Sequence, residues 1–108
     1  MHFIFRVRIR EGYTAEQYAR AWVRASRLIQ QAPGARGTRL HREIGDPRAL
    51  LAIATWASKP ARDVMNERAD QRINDIIAQQ AEFVDIEIIG EFEDAEWVVN
   101  PGDTTAEE

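Results

Sequence analysis

The feature that most constrains the fold is an apolar run, ALLAIATWA (residues 49–57), which ends in a tryptophan just before a helix-start signal. Both sets of alternate positions in this run are apolar, so a β-strand formed from it presents an apolar surface on each face of a sheet. Such a strand needs cover on both faces, which favours the centre of a sheet. The run therefore predicts a layered protein in which Trp56 closes a central strand, either as a core anchor or as the wall of a pocket.

Three further segments of the chain predict strands beside this one. The segment HFIFRVRIR (residues 2–10) alternates, with apolar side chains at its odd positions and mostly arginine at its even ones. The segment ARGTRLHRE (residues 35–43) is rich in arginine, which is typical of a sheet edge protected from aggregation. The segment EFVDIEIIGEF (residues 82–92) predicts the fourth strand. Between the second and third strands, the segment IGDPR (residues 44–48) predicts the hairpin turn, with Asp46-Pro47 as a strong turn signal.

A first helix is predicted between the first two strands. Thr14 is followed three residues later by Gln17, and this spacing predicts a capping box in which each side chain satisfies a backbone N–H group at the helix start. Apolar side chains then recur on one helical face, at Tyr18, Trp22, Ala25 and Ile29. The segment APG (residues 32–34) ends the helix, because proline cannot continue it and glycine adopts left-handed dihedral angles.

A second helix is predicted after the third strand. Ser58 is positioned to cap it, and Pro60 lies in its first turn, where the missing N–H group costs little. The polar stretch from Glu67 to Arg72 predicts a break or a kink. The element order β-α-β-β-α-β is that of the ferredoxin-like α+β fold with an antiparallel sheet.

This fold carries two predictions about the sheet. Its first and fourth strands are neighbours, so that Arg6 and Arg8 are expected to face Asp85 and Glu87 across the ladder, without a residue-by-residue register. Two helices cover only one face of a four-stranded sheet, although the third strand is apolar on both faces. We therefore expect a second copy of the chain to bury the other face, giving a homodimer built as a dimeric α/β barrel.

The 108-residue chain is expected to form one domain over residues 1–93, followed by an acidic tail over residues 94–108. The last eighteen residues carry seven acidic side chains and no basic one. Within the tail, the apolar segment WVV (residues 97–99) is expected to pack on the partner subunit. The terminal segment GDTTAEE (residues 102–108) is expected to be disordered.

Composition excludes several classes of function. The chain has no cysteine, which suits a reducing compartment, and we expect a cytoplasmic protein. No apolar run reaches about 18 residues, so no membrane partner is expected. The arginines are spread along the chain rather than gathered in a basic stripe, which argues against nucleic acid. No metal-ligand spacing and no glycine-rich phosphate loop is present in the sequence, so neither a metal nor a cofactor is predicted.

The segment PGARGTRLHREIGDPRALLAIATWASKPARD (residues 33–63) resembles the antibiotic biosynthesis monooxygenase group of the dimeric α+β barrel superfamily. The resemblance rests on Pro33-Gly34, Gly37, Asp46-Pro47, Trp56 and Ser58, and in element order it extends over about residues 2–93. That group includes cofactor-independent oxygenases of polycyclic phenols, quinol oxygenases and haem-degrading enzymes. The resemblance implies a pocket for a small planar aromatic ligand, with Trp56 in its wall.

Haem degradation is the less favoured of these activities. The haem-degrading members need an asparagine on the first strand and a histidine in the second helix. Here Val7 and Arg8 stand near the first of these positions, and the only histidines of the chain are His2 and His41.

The candidate site residues fall into two groups. The predicted substrate-binding residues are Trp56, Tyr18, Trp22, Phe5 and Asn66. The predicted catalytic residues are Arg39, which would stabilise an anionic phenolate or carboxylate, and His41, which would transfer a proton. Each group has a structural alternative, since buried aromatic side chains also fill cores and His41 could be a half-exposed edge-strand residue paired with Glu43.

The sequence therefore supports two interpretations from different classes of protein. The leading one is a cofactor-independent monooxygenase that acts on planar phenolic or quinol-like molecules in an apolar pocket beside Trp56. The alternative is a non-catalytic small-molecule-binding or accessory dimer on the same fold, because function depends on the site rather than on the fold.

Overall fold

The computed structural model describes residues 1–68 and 71–103. In chain order its elements are β1 (His2–Ile9), α1 (Ala15–Ile29), β2 (Ala35–Glu43), β3 (Asp46–Trp56), α2 (Lys59–Arg68), α3 (Gln71–Gln80) and β4 (Val84–Phe92). This order contains the predicted β-α-β-β-α-β arrangement, with the second helical region described as two segments. The predicted break within Glu67 to Arg72 centres on residues 69 and 70, which lie outside the described residues.

The sheet has the order β2-β3-β1-β4, with every neighbouring pair antiparallel. β3 is central and β2 is an edge, as their compositions predicted, and β1 lies beside β4. Val7 of β1 pairs with Leu50 of β3 and Ile86 of β4, so these residues share one face. The chain therefore has the ferredoxin-like α+β fold.

The core lies between one face of the sheet and the helices. Val7, Leu50 and Val84 from the sheet are buried against Tyr18 and Ala15 of α1 in one cluster. Burial of such apolar side chains is the main contribution to the stability of this layer.

The helix starts are formed as the sequence predicted. The Thr14 hydroxyl accepts a hydrogen bond from the Gln17 backbone N–H at 3.1 Å, and the Gln17 side chain accepts one from the Thr14 backbone N–H at 2.8 Å. The Ser58 hydroxyl accepts from the Ala61 backbone N–H at 3.2 Å. Both caps satisfy N–H groups that a helix start leaves without an intrahelical partner.

The hairpin turn lies within the predicted segment, residues 44–48, but it is shorter and does not include Asp46-Pro47. Glu43 pairs directly with Asp46, so the turn consists of Ile44 and Gly45, and Asp46 with Pro47 begins β3. Gly45 has a φ of +88°, a conformation that glycine adopts without steric cost.

The arginines of β1 lie opposite the two predicted acidic residues of β4 but make different ion pairs. Arg6 lies opposite Glu87 and Arg8 opposite Asp85. Their guanidinium groups instead reach Glu43 of β2 at 2.6 Å and Asp46 of β3 at 3.0 Å. These contacts hold the β2–β3 hairpin against the arginine face of β1.

The tail leaves the domain after β4. Trp97, Val98 and Val99 are exposed, and their packing on a partner subunit stays a prediction. The predicted disorder of residues 102–108 falls largely on residues 104–108, which lie outside the described residues. None of the helices in the described ranges has the length and apolar character that a membrane crossing requires.

Candidate ligand-binding cavity

A cavity of about 310 Å³ lies between the helix-covered face of the sheet and the helices. This volume falls at the lower end of the range of small-molecule pockets, about 300–1,000 Å³. All five residues that the sequence analysis assigned to substrate binding line it: Phe5, Tyr18, Trp22, Trp56 and Asn66. The structure thus brings together, in one place, side chains from β1, α1, β3 and α2.

Small side chains on facing elements create the space. Ala25 on α1 and Ala54 on β3 both line the cavity, and neither reaches far enough to fill the gap between helix and sheet. The larger aromatic side chains stand around them as walls. A lining that is mainly apolar and aromatic is typical of small-molecule pockets.

Trp56 is the last residue of β3 and is only 3% exposed. Its backbone is held by the start of β1, because its N–H donates to the Met1 carbonyl at 2.8 Å and its carbonyl accepts from the Met1 amino group at 2.9 Å. Both contacts fix the backbone at the end of β3, and the buried indole ring lines the cavity. Its roles as a core anchor and as a pocket wall are compatible.

Tyr18 and Trp22 are one helical turn apart on α1 and therefore point to the same side. Tyr18 is buried, and this burial raises the pKa of its hydroxyl. The hydroxyl consequently keeps its proton at neutral pH and is able to donate a hydrogen bond. Tyr18 adds a neutral polar atom to a mainly aromatic wall.

Arg62 on α2 is the charged residue of the cavity lining in the described part of the chain. Its guanidinium group lies 4.3 Å from the centre of the Phe3 ring, a cation–π contact. It also lies 3.2 Å from a carboxylate oxygen of Glu91 on β4. Lys59 shares that carboxylate at 3.1 Å, and the Asp63 carboxylate lies 3.8 Å from Arg62 and 3.6 Å from Lys59, so two negative charges stand beside two positive ones at this end of the cavity.

Arg62 was not among the residues predicted from the sequence, although a signal for it was present. Arg62 lies four residues before Asn66, so both occupy one face of α2. Because Asn66 was predicted to bind substrate, the same helical spacing indicated Arg62.

Gln80, the last residue of α3, also lines the cavity and is 8% exposed. Its side-chain Nε2 is buried and has no hydrogen-bond partner among the described residues. Buried amide groups are nearly always paired, because an unpaired one costs about 1–3 kcal/mol. Nothing in the sequence singled out Gln80, since a glutamine at a helix end is usually solvated.

Arg39 and His41, the predicted catalytic residues, do not line this cavity. Thr38 pairs with Ala54 and both face the cavity, whereas Arg39 pairs with Ile53 and His41 with Leu51. Side chains alternate along a strand, so Arg39 and His41 lie on the opposite face of the sheet, where both are exposed. Their positions do not support a role at the chain's own cavity.

A wider depression of about 610 Å³ lies outside the core, between the end of α1 and α2. It contains no aromatic side chain among its described lining residues, and its edge reaches Arg68 and Ile73, which flank the residues that are not described. The cavity beside Trp56 is therefore the better defined site. In the described residues, no group of three or more metal-binding side chains comes together.

Comparison with known proteins identifies the family. Residues 1–72 match the sequence profile of the family described as antibiotic biosynthesis monooxygenase, which covers two thirds of the chain, and the chain belongs to this family. The sequence matches none of the curated protein sequences.

Solved structures share the fold at low sequence identity. A mutant of SnoaB from Streptomyces nogalater, a cofactor-independent oxygenase, is 16% identical, with a TM-score of 0.76 over 87% of this chain and 92% of that one. A proposed antibiotic biosynthesis monooxygenase from Deinococcus radiodurans is 13% identical, with a TM-score of 0.64 over 92% of this chain and 100% of that one. Protein Rv0793 from Mycobacterium tuberculosis is 14% identical, with a TM-score of 0.63 over 88% of this chain and 98% of that one.

Proposed function

We propose that this protein is a cofactor-independent monooxygenase that oxidises planar phenolic or quinol-like molecules in the cavity beside Trp56. The observation that carries this proposal is an aromatic cavity whose fixed charge, among the described residues, is the guanidinium of Arg62. Aromatic walls suit a flat ring system, and one cation suits the anion that such a molecule forms on losing a proton.

In the proposed reaction, the electrons that reduce dioxygen come directly from the substrate, without a bound cofactor. A methylene flanked by phenolic rings loses a proton to water and becomes an electron-rich anion. The anion reduces dioxygen, and the methylene becomes a carbonyl: CH₂ and O₂ give C=O and H₂O. The carbon gives up four electrons, one oxygen atom enters the product and the other leaves as water.

The protein contributes position and electrostatics to this reaction. Arg62 stabilises the negative charge, and the protonated hydroxyl of Tyr18 is a neutral donor in the same cavity. Trp56 and Trp22 hold the ring plane and exclude water, which strengthens both interactions. The family membership, and the description of SnoaB as a cofactor-independent oxygenase, support the proposal.

The experiment that tests the proposal combines binding with turnover. Tryptophan fluorescence is titrated with dihydroxyanthrone, a naphthoquinol and haem, in the wild type and in Trp56→Phe. We expect saturable quenching by the two phenolic compounds that weakens in Trp56→Phe, together with oxygen uptake above the uncatalysed rate. Saturable binding without any oxygen uptake favours the second candidate, a non-catalytic binding protein, for which the well-formed cavity is the supporting observation.

A further inference from the structure

The cavity beside Trp56 is open to solvent along one side, and the side chains that border this opening are mainly apolar. Among the described lining residues, the exposed ones are Asn66 of α2, Ile77 of α3, and Ile86 and Ile88 of β4. The three isoleucines are 48%, 54% and 66% exposed, in that order. We call the opening bordered by these four residues the mouth of the cavity.

The mouth is a cleft between α3 and β4 that widens along the strand. At the start of β4, Val84 faces the core and is only 2% exposed. Ile86 and Ile88, the next two side chains on that face of the strand, are progressively more exposed. The helix α3 packs mainly against α1. The helices therefore cover β4 only near its start, and the gap opens away from that end.

The sequence of β4 keeps this face apolar where the helices no longer cover it. Asp85 and Glu87 alternate with the isoleucines and lie on the opposite face of the sheet. The second copy of the chain that we predict lies on that opposite face, so it leaves the mouth open. Exposed apolar side chains that continue the wall of a cavity are typical of ligand-binding grooves.

The geometry points to a ligand that extends from the cavity into the mouth: a planar phenolic molecule with an apolar substituent, an alkyl chain or a further ring, at the end distal to its hydroxyl group. The rings lie inside against the aromatic wall, and the substituent lies between Ile77 and the isoleucines of β4. Each isoleucine that it covers loses contact with water, which favours binding in proportion to the apolar area buried. This inference rests on the proposed function and adds the class of substrate to it.

The mouth is tested with 2-naphthol and 6-propyl-2-naphthol, which differ only in three apolar carbons distal to the hydroxyl group. Equilibrium dialysis at neutral pH, where both compounds are uncharged, measures the ratio of their affinities. The wild type is expected to favour the propyl compound about tenfold, the value for burial of roughly half of the added surface. Ile77→Ser and Ile88→Ser, one on each wall of the cleft, are each expected to lower this ratio to about threefold or less.

The matched control is Ile89→Ser. Ile89 follows Ile88 on β4 and is 49% exposed, but it is not among the described residues that line the cavity. This variant is expected to keep the wild-type ratio. All three variants change exposed side chains and are expected to fold, which urea unfolding checks. Equal affinity of the wild type for the two naphthols, or an undiminished ratio in both Ile77→Ser and Ile88→Ser, overturns the proposal.

The competing occupant of the mouth is the exposed apolar segment WVV (residues 97–99) of a second copy of the chain. Sedimentation velocity of Ile88→Ser distinguishes the two occupants. With a ligand as the occupant, Ile88→Ser is expected to keep the association state of the wild type. Weaker association than the wild type, together with an unchanged ratio of affinities, makes the mouth an interface between copies and overturns the proposal.

Failure of the two proposals is distinguishable. If the propyl compound is favoured in the predicted way but no phenolic compound promotes oxygen uptake, the oxygenase proposal fails and the assignment of the mouth stands. If dihydroxyanthrone promotes oxygen uptake while the wild type binds the two naphthols equally, the assignment of the mouth fails and the oxygenase proposal stands.

Discussion

At the scale of single residues, Trp56 belongs both to the folded core and to the candidate site. It closes the central strand, its backbone is held on both sides by Met1, and its ring lines the cavity. A nearly buried tryptophan in such a position contributes both to the stability of the core and to the shape of the pocket.

Replacing Trp56 with phenylalanine is expected to lower the free energy of unfolding by about 1–2 kcal/mol, because a smaller ring leaves part of the core unfilled. The same variant is expected to bind planar ligands more weakly. Urea unfolding and calorimetric titration measure the two effects. The matched control is Trp97→Phe, since Trp97 is 86% exposed in the tail, and it is expected to change neither. Unchanged stability and binding in Trp56→Phe would contradict the account of this residue.

The sequence predicted the aromatic wall and Asn66, but not Arg62 or Gln80. Tyr18 and Trp22 were predictable because helical spacing puts them on one face. Arg39 and His41 share a face, as alternation predicted, but alternation does not say whether that face carries the helices. Which face of β2 lies under the helices depends on the register between β2 and β3. Gln80 was not predictable, because its burial depends on how α3 packs.

At the scale of elements, the junction between α1 and β2 is fixed by its contact with α2. Gly34 has a φ of +86°, and a Cβ atom at this position would lie 2.7 Å from the Cβ of Ala61. Its carbonyl accepts a hydrogen bond from the Ala57 N–H at 2.7 Å, so the backbone has little freedom to move away.

Gly34→Ala is therefore expected to destabilise the protein by about 2–4 kcal/mol, the sum of left-handed strain and of overpacking against α2. Gly12→Ala is the control, because Gly12 has a similar φ of +89° with open space around it. It is expected to cost about 1–2 kcal/mol from strain alone. Equal costs in urea unfolding for the two variants would contradict the close approach at Gly34.

The β2–β3 hairpin is held by a carboxylate whose contribution depends on pH. The Asp46 carboxylate accepts from the Arg48 backbone N–H at 3.1 Å and from the Arg8 guanidinium at 3.0 Å, and these contacts lower its pKa. A carboxyl whose pKa is lower in the folded than in the unfolded protein stabilises the fold above the unfolded value, about 3.9. That contribution is lost as the pH falls through the lower folded value.

Asp46→Asn is thus expected to be less stable than the wild type at neutral pH, and the difference is expected to vanish in strong acid. Urea unfolding of both proteins across the acid range measures it. The matched control is Glu87→Gln. It also removes one carboxylate from the same face of the sheet, on β4 opposite Arg6. A difference between Asp46→Asn and the wild type that stays constant with pH would contradict the account.

The sequence was most informative about the positions of the strands and helices. Four strands and the starts of the helices followed from apolar periodicity and capping residues. The hairpin turn is shorter than the predicted segment, because Asp46 and Pro47, which are strong turn formers in general, begin β3 here. Here Gly45 supplies the positive φ, and Asp46 is used instead to bind Arg8 and the Arg48 N–H.

At the scale of the whole molecule, the face of the sheet opposite the helices carries Ile4 and Ile53, which pair across β1 and β3. We predict that a second copy of the chain covers this face. Sedimentation velocity at micromolar concentration is expected to give a dimer for the wild type and a folded monomer for Ile53→Lys, because an ammonium group beside Arg39, its cross-strand neighbour, would have to be buried without a counter-charge on association. A wild-type monomer under these conditions would contradict the prediction.

The central claim is that oxygen chemistry takes place in the cavity beside Trp56, and the most direct measurement is oxygen uptake with dihydroxyanthrone in a sealed electrode cell. The wild type is compared with Ala54→Phe, which fills the cavity from β3, and with Ala78→Phe, at an exposed position on α3. We predict uptake above the spontaneous rate, with one O₂ consumed per substrate molecule, that is lost in Ala54→Phe and kept in Ala78→Phe. Uptake by the wild type no faster than the spontaneous rate, or undiminished uptake by a folded Ala54→Phe, would contradict the claim.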